Sequence, residues 1–356
     1  HIRSKAAQVV TNNPVAAFLG EDGKLAGVKL RNGTELPCSL AVVATGVRPD
    51  TALGQEAGLK TGATGGFSVN DYLQTSDPDI YAVGDCIETL NRITGVKVHA
   101  PYGDLANLQG RVAGQNIAGG NTAKFPGTFQ TGVCKVFDYA AGATGLSERS
   151  AVEAGFEPVS VVTAAADKPG FMGAHPLVIK LVAEKRDGRL LGVQCVGPGD
   201  VSKRVATAVM ELHGKITVQE LAVADLPYAP PFSPAIDNLI AAAHVLENKM
   251  AARMVGVSCS EVKAKLDAGD PLFLLDTRGA DEYEAMRLGV GEVLIPLGAL
   301  RDRMADLPQD KNAEIICYCK ISLRGYEAAS LLAAHGWTNV KVMEGGILAW
   351  PYGREK

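Results

Sequence analysis

The stretch Ile315-Ile316-Cys317-Tyr318-Cys319-Lys320-Ile321-Ser322-Leu323-Arg324-Gly325-Tyr326 puts a thiol between an apolar run and the start of a helical pattern. A strand ending at Cys319, with a helix beginning a few residues later, predicts a loop lined by backbone N–H groups at the positive end of a helix macrodipole. Arg324 adds a full charge. Such surroundings lower a thiol pKa from about 8.5 into the range of roughly 3.5–7.5. They would also hold the outer sulfur of a persulfide, Cys–S–S⁻, as an anion. Taken alone, Cys319 could equally be a buried structural cysteine at a strand end. Core packing is the expected role of Cys317, two residues earlier in the apolar run.

Two other regions carry residues suited to a cofactor. The run Ala41-Val-Val-Ala-Thr-Gly-Val-Arg-Pro-Asp50 reads as a buried strand that breaks at Gly46, and Ile80-Tyr81-Ala82-Val83-Gly84-Asp85-Cys86 as a second strand with Gly then Asp at its carboxyl end. In open α/β sheets ligands sit at the carboxyl ends of strands. Gly84 would let the backbone approach a ligand closely, and Asp85 is an acceptor suited to a polyol hydroxyl. Pro101-Tyr102-Gly103 then leads into a helix, whose amino end favours negative charge. Further on, the prolines of Leu226-Pro227-Tyr228-Ala229-Pro230-Pro231-Phe232-Ser233-Pro234 stiffen a loop that presents Tyr228. No metal site is expected.

The bulk properties are those of an ordinary globular protein with several domains. The chain has 356 residues, 47% of them hydrophobic and 21% charged, with a formal net charge of −4. Acid and base are interspersed, so there is no electrostatic footprint for nucleic acid. No apolar run reaches the roughly 20 residues that span a bilayer, and no secretory signal opens the chain. Seven scattered cysteines suit a reducing cytoplasm better than a disulfide framework. The chain starts at His1 and its first residues are already strand-like, which reads as a fragment or processed product.

Three blocks must position these residues. Residues 1–120 alternate short apolar runs with glycine turns: 15–19 and 25–30 flank Gly20-Glu21-Asp22-Gly23 as a hairpin, 40–44 reads as a buried strand, and Leu105, Leu108, Val112 and Ile117 give a helical stripe. Residues 124–248 mix strands (159–163, 177–182, 190–196) with helices (201–213, 234–247), an α+β arrangement. Residues 254–356 alternate strand and helix (259–268, 272–276, 315–318, 324–335, 340–343), which predicts an α/β domain with a parallel sheet. The best linker candidate is 248–256.

Leu274-Leu275-Asp276-Thr277-Arg278, Ile295-Pro296-Leu297, Cys319 with Arg324 five residues on, and Met343-Glu344-Gly345-Gly346-Ile347-Leu348-Ala349-Trp350 occur in the order and spacing of rhodanese homology domains. The resemblance implies that Cys319 is the sulfur-carrying nucleophile and that Arg324 closes a six-residue loop of the kind associated with sulfur substrates. The family commonly has Gly where this chain has Ser322. Asp276 and Arg278 would orient the loop, whereas Gly345, Gly346 and Trp350 read as turn and packing elements.

The pair Ala44-Thr-Gly-Val-Arg-Pro49 and Tyr81-Ala-Val-Gly-Asp85 resembles the pyridine nucleotide–disulfide oxidoreductase family. That resemblance implies that Asp85 binds the ribityl chain of FAD and that the helix after Pro101, Tyr102 and Gly103 faces the flavin. The second block is similar to that family's dimerisation domain, more narrowly to the coenzyme A-disulfide and persulfide reductase branch, with Leu177-Val-Ile-Lys180 and Val201-Ser-Lys-Arg204 upstream of the proline loop. Tyr228 would then be one of two tyrosines near a thiol substrate; the stretch matching the other reads Pro169-Gly170-Phe171-Met172.

No G-x-G-x-x-G occurs, and the family's early redox cysteine has no counterpart. Residues 1–120 are therefore read as the C-terminal part of the NAD- and FAD-binding domains, in a chain without the N-terminal catalytic half. The implied activity is an NAD(P)H- and FAD-dependent reductase of disulfide, persulfide or polysulfide substrates, coenzyme A derivatives among them, fused to a sulfurtransferase. It would be a cytoplasmic homodimer with no nucleic-acid or membrane partner. The alternatives are a rhodanese on a flavin-free dimerisation scaffold and an NADH oxidase.

Overall fold

A computed structural model describes residues 1–356. The chain folds as two compact units, residues 1–88 with 99–125 and residues 89–98 with 126–356. No helix is long and apolar enough to cross a membrane.

In the first unit, β1 (Val15–Glu21) and β2 (Lys24–Leu30) form an antiparallel hairpin, and β3 (Glu35–Pro37) pairs with β2. Asp22 and Gly23 both have positive φ (49° and 74°), the geometry of a two-residue turn that matches strand twist. Two expected strands do not form. Residues 40–44 are irregular, and Leu40, Val42 and Val43 are 78%, 83% and 67% exposed. A parallel strand needs partners at its edges and cover on both faces, and nothing in this unit pairs with that run. Residues 80–83 make only an isolated bridge, Gln74 with Tyr81, before a 3₁₀ turn at Gly84–Cys86.

The expected helix is present as α1 (Gly103–Gly119), but its buried residues are Gln109, Ala113 and Asn116, while Leu108 and Ile117 face solvent. Loop backbone explains the exchange. Asn116 Nδ2 donates to the carbonyls of Tyr72 and Ala123, and its Oδ1 accepts from Thr122 and Ala123 N–H. Buried main-chain groups must find partners, and here amide side chains supply them.

The second unit opens with an antiparallel five-stranded sheet. Its strands are β4 (Gly132–Val136), β5 (Tyr139–Gly145), β6 (Pro158–Ala166), β7 (Pro176–Glu184) and β8 (Leu190–Gly197), in the order β4-β5-β8-β7-β6. Leu177, Ile179 and Leu181 alternate toward the core, where α3 (Val201–Gly214) and α5 (Asn238–Met250) cover the sheet. The short α2 (Glu148–Glu153) and α4 (Val218–Ala222) complete this α+β layer. Val201, Val205, Ala208 and Leu212 give α3 its apolar stripe, and Leu239, Ala242, Ala243 and Leu246 do so for α5. The helix expected from Pro234 starts instead at Asn238, where the Asp237 side chain caps it by accepting from Leu239 N–H.

A second five-stranded sheet follows. It contains β9 (Gly256–Val257), β10 (Phe273–Asp276), β11 (Val293–Leu294), β12 (Ile315–Tyr318) and β13 (Val340–Met343), all parallel, in the order β9-β13-β12-β10-β11. Helices α6 (Cys259–Ala268), α7 (Ala280–Ala285), α8 (Leu323–Ala334) and α9 (Gly346–Ala349) connect or follow these strands. Both faces of β12 are buried: Ile315 and Cys317 lie in one core cluster, Ile316 and Tyr318 in the other. That accounts for its unbroken apolar sequence.

One buried charge ties the first of these layers together. Arg204 is 0% exposed; it donates to Asp237 Oδ2 (3.0 Å), Asn238 Oδ1 (2.9 Å) and the Asp167 carbonyl (3.1 Å), joining α3 to the start of α5. Burial alone would raise the Asp237 pKa, but the Leu239 N–H, Arg204, Ser233 and Lys203 outweigh it and hold the carboxyl below its usual range. Arg204→Met strands that carboxylate, so thermal or denaturant unfolding should show a loss of about 3 kcal/mol.

Candidate functional site

Cys319 follows β12 directly and is 1% exposed. The loop after it bends under a short connection from β13: Ile347 N–H donates to the Cys319 carbonyl (2.9 Å) and Leu348 N–H to the Lys320 carbonyl (3.2 Å). Gly346 makes this approach possible, since a Cβ there would lie 2.4 Å from the Cys319 oxygen. With these carbonyls held on the α9 side, no N–H from Lys320 to Gly325 donates to an acceptor in the chain. Loop and helix terminus together make an anion-binding concavity.

Ser322, the N-cap of α8, has φ +82°, a left-handed conformation that favours glycine. Its hydroxyl donates to the Met343 carbonyl at 2.6 Å and so ties the turn to β13. Gly325 faces β12, where a Cβ would lie 3.0 Å from Tyr318 Cα.

Arg324 is held bidentately by Glu282, Nη1 to Oε2 at 2.7 Å and Nη2 to Oε1 at 2.8 Å. The pair with Glu282 pushes the guanidinium pKa up, and the charge of Cys319 adds to the shift. The Glu282 carboxyl is lowered to about 2, first by its hydrogen bond to Arg324, then by Gly279 N–H and the charges of Arg324 and Arg278, against a smaller opposing effect of burial. Glu282 is absent from the sequence reading. Its only sequence signal is the Gly279-Ala280-Asp281-Glu282 start of α7, where the carboxylate also accepts from Gly279 N–H.

Behind it, the Arg278 guanidinium grips Asp276 through Nε and Nη2 (2.6 Å) and donates to the Glu282 carbonyl (3.1 Å). Thr277 donates both its N–H and its hydroxyl to the Tyr318 carbonyl. The Asp276-Thr277-Arg278 run thus braces both the end of β12 and the residue that holds Arg324.

Three other cysteines, Cys195, Cys259 and Cys317, are buried in the sheets and their covering helices. Burial pushes Cys195 and Cys259 up to about 12, and the fully enclosed Cys317 higher still, so they stay protonated and inert. Cys317 packs in the core beside Leu275 and Val342.

Elsewhere in the second unit, Tyr228 is 53% exposed and lines a cavity of about 650 Å³ with Asp167, Lys168, Asp200, Lys203 and Phe232. Phe171, in the stretch matching the second tyrosine, stands on a 3₁₀ turn and is 80% exposed.

In the first unit, Gly84 (φ +77°) donates its N–H to the buried Gln109 Oε1 at 2.7 Å, which ties the turn to α1. Asp85 is exposed and paired with no cation, and His99 Nε2 contacts its carbonyl oxygen at 2.8 Å. Pro101 and Tyr102 are half-buried, and α1 begins at Gly103 without a side-chain cap. The structure thus joins Gly84, Asp85, Pro101, Tyr102 and Gly103 in one local patch with a free carboxylate and open helix N–H groups. This donor set fits the polyol and ring end of a flavin; no residue offers a glycine-rich turn for a dinucleotide's phosphates.

Residues 1–101 match the pyridine nucleotide-disulphide oxidoreductase family, 131–240 that family's dimerisation domain, and 258–351 the rhodanese-like domain. The chain belongs to the pyridine nucleotide-disulphide oxidoreductase family. Among its relatives, the "NAD(P)H sulfur oxidoreductase (CoA-dependent)" of Pyrococcus furiosus is 37% identical over 219 residues, 61% of this chain and 49% of that protein. The solved NAD-dependent persulfide reductase from A. fulgidus superposes with a TM-score of 0.91 at 39% identity, over 98% of this chain and 63% of that one. Reduced Bacillus anthracis CoADR-RHD gives 0.84 at 33% identity, over 95% and 59%. The chain thus spans about half the length of the curated relatives it matches. In this chain the thiol lies at the carboxyl end of β12, the central strand of the parallel sheet.

Ser322→Ala loses the bond to Met343 and keeps the left-handed strain, so it should lower stability by about 1 kcal/mol. Ser322→Gly loses the same bond but relieves the strain, so calorimetry should rank it above the alanine variant. Glu282 has a folded pKa below its ordinary value of 4.5. Its contribution to stability is therefore fully present above about pH 4.5 and is lost as pH falls toward 2. In Glu282→Gln the fall in Tm across that window should be shallower than in the parent.

Proposed function

We propose that the protein of which this chain is part reduces persulfide, polysulfide or disulfide forms of low-molecular-weight thiols, coenzyme A among them, and carries sulfane sulfur on Cys319. The observation that carries this reading is the Cys319 loop, an enclosed thiol followed by N–H groups without acceptors and by the Glu282-anchored Arg324. The named activities of the relatives, a CoA-dependent sulfur oxidoreductase and a persulfide reductase, support the same chemistry. We assign residues 1–120 to the nucleotide- and flavin-binding part, 124–248 to a dimerisation domain and 254–356 to the sulfurtransferase module.

In the transfer step the Cys319 sulfur attacks the outer sulfur of a donor, R–S–S⁻ or thiosulfate. The donor's S–S bond breaks, R–S⁻ or sulfite leaves with the bonding pair, and Cys319–S–S⁻ forms. An acceptor thiolate then removes the outer sulfur and restores Cys319, so the cycle is redox-neutral. The loop N–H groups and Arg324 stabilise the negative charge in both states. Glu282 fixes the guanidinium so that it need not reorganise, which makes it a positioning residue.

FAD, with NAD(P)H as donor, would supply the two electrons needed to reduce an S–S bond. Asp85 would accept from the ribityl hydroxyls, Gly84 would allow close approach, and the α1 amino end after Pro101, Tyr102 and Gly103 would favour charge on the ring. Tyr228 and the lysines of its cavity, Lys168 and Lys203, suit an anionic thiol compound, with Tyr228 contributing to the reductase site in a homodimer.

Cys319→Ser should abolish sulfur transfer from thiosulfate to cyanide, while Cys317→Ser retains most of it, as read by thiocyanate formation. The reading fails if the serine at 319 transfers sulfur or if the 317 variant alone loses it.

A further inference from the structure

The dimerisation layer and the sulfur module meet at a buried ion pair that the sulfur chemistry above does not use. Glu344 directly follows β13 and is 5% exposed. One carboxylate oxygen accepts from Lys249 Nζ of α5 at 2.6 Å; the other accepts from the backbone N–H of Val162 on β6 at 3.0 Å. Lys249 Nζ also donates to the Ser160 carbonyl at 2.8 Å. β6 is the outermost strand of its sheet, and Ser160 and Val162, two residues apart, present their polar groups along the same unpaired edge. Glu344 is therefore fixed at two points on the neighbouring layer. Gly256 leaves room for it, since a Cβ there would lie 2.1 Å from Glu344 Oε1.

The same residue begins the connection that shapes the sulfur loop. Glu344 N–H is held by the Val257 carbonyl; Gly345 packs toward Val162, where a Cβ would come within 3.3 Å of its Cγ1. Gly346 then touches the Cys319 carbonyl, and Ile347 and Leu348 donate to the Cys319 and Lys320 carbonyls. Only two residues separate the anchored carboxylate from the first of these donors.

We propose that Lys249 and Glu344 form a positioning clamp for the sulfur site, by which α5 and β6 of the dimerisation layer hold the Gly345-Gly346 turn and hence the carbonyl-down loop around Cys319. The inference rests on Cys319 being the sulfur carrier. A clamp that only stabilised the fold would change the melting temperature; one that positions the loop sets the alignment of its N–H groups with the transferring sulfur, where a shift on the order of 1 Å is felt strongly in rate.

The test uses the full chain and the thiosulfate-to-cyanide reaction, assayed well below each variant's melting temperature. Lys249→Met and Glu344→Gln should each lower kcat by about tenfold or more while KM for thiosulfate moves by less than about threefold. Lys249→Arg should recover most of the rate, because a cation again bridges Ser160 and Glu344. The double variant should be little slower than either single one, as for two members of a single device. If Glu344→Gln does not fold, Lys249→Met carries the test, since 27% of that lysine side chain is in solvent.

A lowered melting temperature with unchanged kcat overturns the proposal, as does a fully additive loss in the double variant. If Cys319→Ser itself keeps sulfur transfer, the underlying reading falls first and the clamp with it. If Cys319→Ser is dead and the clamp variants are fully active, the clamp alone is wrong.

Discussion

The sulfur module is organised around where a few backbone carbonyls can go. Those of Cys319 and Lys320 lie at the end of a fully buried strand, and an unsatisfied main-chain group there costs as much as a lost hydrogen bond. Ile347 and Leu348 supply the donors, and Gly346 permits the contact because it lacks a side chain. Once the carbonyls are committed to that side, the N–H groups of the following loop are left without acceptors in the chain. The left-handed turn at Ser322, the start of α8 and the direction of Arg324 all follow from that choice.

Charge pairs hold the surrounding pieces, and each sits at a junction between elements. Asp276–Arg278 braces the end of β10 against α7, and Glu282–Arg324 joins α7 to α8. Arg204–Asp237 joins α3 to α5, and Lys249–Glu344 joins the two sheet layers. Buried ion pairs are a poor source of net stability because desolvation offsets their attraction. Their geometric demand is strict, so they define where one element stops relative to the next. The most exposed of the four is Glu282–Arg324, with about a third of each side chain in solvent.

The first unit behaves differently. The patch we assign to the flavin, Gly84 to Asp85 beside the start of α1, is formed by a local turn and a buried glutamine rather than by a sheet. Val42 and Val43, which read as strand interior, stand in solvent, as does Val47 beyond the break at Gly46.

Local pattern alone revealed the parallel domain, the thiol at the end of β12, the hairpin at Asp22-Gly23 and the main helices, because burial on both strand faces and helical spacing leave periodic traces along the chain. It misjudged 40–44 and 80–83, where an apolar run promises a strand only if a partner edge exists, and it gave α1 an apolar face where Gln109 and Asn116 are needed to satisfy distant loops. Glu282 and Lys249 leave no such trace, and Glu344 stands out in the sequence only as part of the Met343–Trp350 motif. Their partners lie 42, 95 and 182 residues away in the chain (Arg324, Glu344 and Val162 respectively), and spacing carries no signal for a hydrogen bond between groups that meet only after two layers have packed.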